Sequence, residues 1–273
     1  MGPVHLTVSD LARSLDYYET AIGLRVLERE DDRATLGVDS PLLVLVEEPG
    51  APPATGYTGL FHVALRVPDR AGLARWLEHA ARERVALTGL SDRAVSEALY
   101  LRDPDHHGIE IYRDRPRADW EGSVRERLTT IPLDVDDLLG ELSEPGPPDY
   151  PGLPEGTDMG HVHLCVASIP ETLEFYRDVL GFDLMAQLDE VAAFLSAGGY
   201  HHHVGANTWE SRDAPPPPPG SAALRHATIV LPDVAERDRV AGRVAGTGQE
   251  PEARPDGVIV RDPSQNALLL AAA

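Results

Sequence analysis

The sequence predicts an α+β protein assembled from four similar units, and three observations carry that prediction. Residues 4–24, VHLTVSDLARSLDYYETAIGL, match residues 162–182, VHLCVASIPETLEFYRDVLGF, without a gap. Residues 59–69, GLFHVALRVPD, match 223–233, ALRHATIVLPD. Two hairpin-like segments close the pattern, LYLRDPDHHGIEIYR at 99–113 and VIVRDPSQNALLLA at 258–271. Self-similarity in a fixed order is the mark of a repeated supersecondary unit.

The elements follow in order. Val4, Leu6 and Val8 alternate with His5, Thr7 and Ser9, the pattern of a half-buried strand. Leu11, Leu15, Tyr18 and Ile22 have helical spacing, and Gly23 stands where a helix C-cap belongs. The matching third unit repeats both features. Helices are expected from Arg70 to Arg84 and from Val234 to Ala245, each followed by a hairpin whose turn is marked by Asp-Pro. Units 1 and 2 therefore fill 1–115 and units 3 and 4 fill 158–273. Residues 116–157 end in SEPGPPDYPGLPEG and read as a linker, with a candidate helix over Val124 to Leu142. DAPPPPPG at 213–220 reads as an exposed polyproline loop.

Bulk properties narrow the function. The chain of 273 residues is 42% hydrophobic, enough for packed cores. Its formal net charge of -21 argues against nucleic acid and anionic membranes as partners. The single cysteine, Cys165, admits no intrachain disulfide and suits a reducing compartment. The N-terminus lacks a basic stretch followed by an apolar one, and no apolar run reaches the length of a membrane span, so the expected location is the cytoplasm.

Four βαβββ units with this strand–helix opening resemble the vicinal-oxygen-chelate superfamily. Within it, VSEALYLRDPDHHGIEIYRDRP and GHVHL…FYRDVLGF…AFLSAGGYHHHVGANTW resemble two-domain bacterial catechol 2,3-dioxygenase proteins. The resemblance implies two cupped mixed β-barrels. It also implies one Fe(II), with Mn(II) as the alternative ion, and a small aromatic diol and O2 as substrates. Oligomeric state, including a homo-oligomer, is left open.

A non-haem Fe(II) site needs two imidazoles and a carboxylate on one face, with open positions beside them. Glu110 in GIEIY, His62 in LFHVAL and His163 in HVHLCV each occupy a strand position whose neighbours are apolar. These three are the expected metal ligands. His5 and His226 occupy comparable positions in units 1 and 4, but Leu269 stands where Glu110 stands in the other half, so unit 4 supplies no carboxylate. The resemblance places the catalytic base at His202, with His201 beside it near substrate, and a proton donor at Tyr100, ten residues before Glu110. Units 1 and 2 then lack a base, while units 3 and 4 lack Glu and Tyr. Pairing unit 2 with unit 3 collects every part in one barrel; pairing unit 1 with unit 2 would use His5, His62 and Glu110 instead.

Lesser features complete the reading. Arg93 stands where the family motif Asp-His-x-Val-Ser-Glu has histidine, and either binds a substrate carboxylate or lies on the surface. His106 and His107 are expected in an exposed turn. Strand alternation would put His201 and His203 on one face and His202 on the other. Trp209 is expected in the core or a pocket wall, Asn207 near the pocket, and Cys165 as a small buried side chain. Two other functions fit the same fold. A glyoxalase- or isomerase-type metalloenzyme uses a fuller ligand set with an extra Glu, and a metal-free binding or resistance protein needs no such triad.

Overall fold

A computed structural model describes every residue of the chain except 143, 145, 147 and 148. Two eight-stranded mixed sheets form, and each is built across the halves of the sequence. One joins the strands of unit 3 to those of unit 2 through the antiparallel pair Gly59–Arg66 and Asp158–Cys165. The other joins unit 4 to unit 1 through Leu224–Leu231 and Val4–Val8. The division of chemistry between the two halves already favoured this arrangement over sequential pairing.

The repeat is expressed first as local structure. Each unit's opening strand runs into a short polar turn whose last side chain caps the following helix. Asp10, Asp69, Ser168 and Asp233 accept hydrogen bonds from the backbone N–H groups of Arg13, Gly72, Glu171 and Glu236. Each such cap contributes about 1 kcal/mol. The helices Arg70–Glu83 and Val234–Ala245 follow the expected spans. Those of units 1 and 3 begin at Leu11 and Ile169 and widen into π-helical turns at Tyr18–Ile22 and Glu174–Val179. Gly23 adopts a left-handed φ of 89° and ends the first of them.

The units of one half are tied together although they serve different sheets. Tyr18 donates to Asp103 at 3.0 Å, and its repeat counterpart Tyr176 donates to Asp262 at 3.2 Å, so each helix grips the Asp-Pro turn of the next unit. Trp76 donates its indole N–H to the Ile22 carbonyl at 3.1 Å. A continuous core runs through all four units and includes Leu6, Tyr18, Leu65, Trp76, Leu164 and Leu268.

The 116–157 segment packs onto this frame. Its described residues include the short α-helices Val124–Arg127 and Val135–Leu139 in place of the single candidate helix. Pro132 lies between them, where its ring and missing N–H interrupt helical hydrogen bonding. Trp120 is buried against Val95 and Tyr200, which closes one side of the first sheet's cup. Residues 215–220 are largely exposed, as the proline run predicts. No helix among the described residues is long and apolar enough to cross a membrane.

Candidate metal centre

The register of the central strand pair builds the site. Val63 lies opposite Val162, and this pair marks a local dyad between units 2 and 3. His62 and His161 each precede one of those valines, so the dyad exchanges them. Ala64 pairs with His161 on one side and, across the parallel neighbour Gly108–Asp114, with Glu110 on the other. Glu110, Ala64 and His161 thus form a row across three strands, and only a methyl group stands between the carboxylate and the imidazole.

Three ligand atoms converge there. His62 Nε2 is 2.8 Å from Glu110 Oε2, His161 Nε2 is 3.2 Å from the same oxygen, and the two Nε2 atoms are 3.4 Å apart. Ligands on one face of an ion, each about 2.1 Å from it, lie about 3 Å apart, so the donor set fits a divalent cation. Among the described residues this is the one group of three or more His, Cys, Asp or Glu side chains gathered closely enough to share an ion. All three are buried. Burial opposes charge on Glu110, but His161 and His62 outweigh it and hold the carboxyl well below its usual range. Burial lowers His161 to about 4 against the pull of Glu110, leaving a neutral imidazole. A carboxylate beside a neutral imidazole is the state that binds a metal ion.

His163 occupies a different place from the one expected of it. It lies directly opposite His62 on the same face, with ring centroids 4.9 Å apart, but His161 and not His163 completes the convergent group. Its ring packs between Phe61, Phe194 and Trp209, and its Nε2 is buried without a hydrogen-bond partner. HVHLCV puts two histidines on one strand face, so alternation alone does not choose between them. The repeat does choose: His62 stands five residues before Val67, and His161 five before Val166.

The remaining expected residues surround the group. Tyr100 lies opposite Glu110 in the hairpin, with its ring 5.6 Å from His62. Burial and the nearby Glu110 raise its phenol, so it stays protonated. His202 packs its ring 4.1 Å from His161, and burial pushes it well below the usual histidine range. His201 and His202 do not point to opposite faces, as alternation predicted. They lie in the turn before the strand Val204–Asn207, and their Nδ1 atoms are 2.8 Å apart. His203 instead meets the Ser196 hydroxyl at 3.0 Å.

Arg93 lies beside Tyr100, donating from Nε to its hydroxyl at 3.3 Å and from Nη1 to Thr130 at 2.6 Å. A cavity of about 300 Å³ opens beside the group, lined by Phe61, His62, Arg93, Tyr100, Trp209 and Glu210. Trp209 is 47% exposed, a rim residue and not a core one. Asn207 is buried and accepts from the Trp209 backbone N–H. His106 is exposed, but His107 is buried and donates from Nε2 to the Thr7 carbonyl at 2.9 Å, linking the hairpin turn to the other sheet. Cys165 is buried, which pushes its thiol up to about 11.

The second sheet repeats the geometry without the chemistry. His226 takes the place of His62, but Leu269 pairs with Thr228 where Glu110 pairs with Ala64, Ile259 replaces Tyr100, and Pro3 replaces His161. His5 and His226 stack on each other with ring centroids 3.9 Å apart.

Close backbone approach also shapes the centre. A Cβ at Gly160 would overlap the Tyr112 hydroxyl. Gly160→Ala is therefore expected to lower unfolding free energy by about 1–3 kcal/mol in urea titration, the usual cost of overpacking.

Fold and centre together define a member of the Glyoxalase/Bleomycin resistance protein/Dioxygenase superfamily, whose model matches residues 1–111 and 158–270; the chain belongs to that family. A catechol-2,3-dioxygenase of Bacillus subtilis (strain 168) is 42% identical to it over 283 residues, spanning 98% of this chain and 95% of the relative. Among solved structures, a Bacillus subtilis subsp. subtilis str. 168 protein superposes with TM-score 0.66 at 17% identity, covering 100% of this chain and 85% of the other. Glyoxalase I from Zea mays does so with TM-score 0.62 at 17% identity, covering 100% and 92%. These two likenesses show the fold.

Proposed function

We propose that the chain is an extradiol ring-cleaving dioxygenase that holds Fe(II) on His62, His161 and Glu110 and opens a catechol-type ring. The observation that carries this reading is the convergence of two imidazoles and one carboxylate beside a cavity, in a chain 42% identical to a catechol-2,3-dioxygenase. Bound iron supplies the electronic route by which O2 reacts with the ring.

The chain's own residues do the rest. His202, neutral and packed against His161, accepts a proton from a diol hydroxyl. Tyr100, protonated and opposite Glu110, donates a hydrogen bond to an oxygen developing negative charge. Phe61 and Trp209 offer apolar walls to a flat ring at the cavity mouth.

A glyoxalase-type reading needs a fourth protein ligand. The dyad that exchanges Ala64 with His163 carries Glu110 onto Gly205, which has no side chain to offer. The His163 ring lies over that glycine, so no fourth protein ligand comes from there. The test is aerobic incubation of the Fe(II)-loaded protein with catechol. Yellow ring-opened product and one O2 consumed per ring are expected; no O2 uptake with any vicinal diol arene contradicts the reading.

A further inference from the structure

A buried polar chain leads away from the candidate base and ends on a carboxylate. Asp114 closes the Gly108–Asp114 strand four residues after Glu110. Its Oδ1 is 2.7 Å from His201 Nε2, and His201 Nδ1 is 2.8 Å from His202 Nδ1. The Tyr200 hydroxyl donates to Asp114 at 3.0 Å, with the Tyr112 hydroxyl 2.8 Å behind it, and Arg66 Nη1 donates to Asp114 at 3.0 Å. Burial works against charge on Asp114, but His201 and Arg66 overcome it and keep the group ionised.

Hydrogen-bond inventory gives a consistent set of protons along this chain. An ionised carboxylate only accepts, so His201 must present Nε2–H to it. With its Nε2 proton directed at Asp114, His201 can offer Nδ1 to its neighbour as the acceptor of the 2.8 Å bond. In that arrangement His202 carries its proton on Nδ1 and a lone pair on Nε2. The His202 ring, whose Nδ1 faces His201, lies against His161 and Phe194.

We propose that Asp114 and His201 are positioning residues that lock His202 in the Nδ1–H tautomer and so present its Nε2 as the base for the diol proton. This rests on the dioxygenase reading of the same centre. The arrangement gives a carboxylate-to-imidazole-to-imidazole alignment in which only the last ring meets substrate. The tautomer of a catalytic histidine set by the partner of its other nitrogen is a general device.

The test uses the full-length protein with 15N-labelled histidine, iron-free for the spectra and iron-loaded for kinetics. The wild type should show His202 protonated at Nδ1 and bare at Nε2. His201→Phe, which removes the acceptor, should move that proton to Nε2 and lower kcat by about 10–100-fold, with KM within about twofold and iron content unchanged. Asp114→Asn should shift both readouts in the same direction and by less. His201→Gln supplies an amide donor to Asp114 and a carbonyl acceptor to His202, and should recover much of the loss. A wild-type His202 bare at Nδ1 overturns the proposal. So does a His201→Phe protein that keeps the wild-type signature and kcat. Should the wild type show the expected tautomer yet cleave no diol, the relay stands and the dioxygenase reading falls.

Discussion

Replacing Glu110 with Gln is expected to strip bound iron from the protein and to lower ring cleavage by on the order of 10³-fold or more, because an amide cannot supply the anionic oxygen on which the group is centred. Glu110 is the carboxylate of the convergent group, and both imidazoles point their Nε2 atoms at its Oε2. The substitution also puts a neutral amide, half of it an NH2 donor, where His62 and His161 met an anionic oxygen, so a melting curve should accompany the assay. Iron per chain, measured by elemental analysis after desalting, separates loss of the ion from loss of the fold. The same measurement divides the two histidines of HVHLCV. His161→Ala is expected to lose iron as Glu110→Gln does, whereas His163→Ala should retain it, because His163 stands outside the group.

The second large effect is expected at His202. His202→Asn should keep iron and fold while kcat falls by about 10²–10⁴-fold, the usual contribution of a general base. KM for the diol should change little, since a base acts on the proton in flight more than on the bound ring. The loss should shrink as pH rises, because a larger fraction of the diol arrives already deprotonated. A variant that loses iron together with activity would instead place His202 among the ligands.

Much of this was legible in the residues. The ungapped match of 4–24 with 162–182 is a match of strand, cap, helix and stop, and the structure repeats each in turn. His62 and Glu110 were legible because strand alternation sets each apart from apolar neighbours. The cross-half pairing was favoured because each half alone carries an incomplete set of functional groups. Other features depended on three-dimensional context. Period two cannot rank His161 against His163, since both share a face; only the repeat spacing to Val67 and Val166 separates them. His201 and His202 defied alternation because a turn, not a strand, presents them. His107 looked like a turn residue and is one in backbone terms, yet the other sheet's Thr7 carbonyl covers it. Asp114 gave no signal at all in the sequence, because its meaning comes from a histidine 87 positions away.

The most direct measurement is the anomalous diffraction of iron-loaded crystals recorded across the iron edge. It should show one ion per chain within bonding reach of His62 Nε2, His161 Nε2 and Glu110, and none in the cup where His5 and His226 stack. An ion seated on His163, or no ion in the first cup at all, would contradict the account.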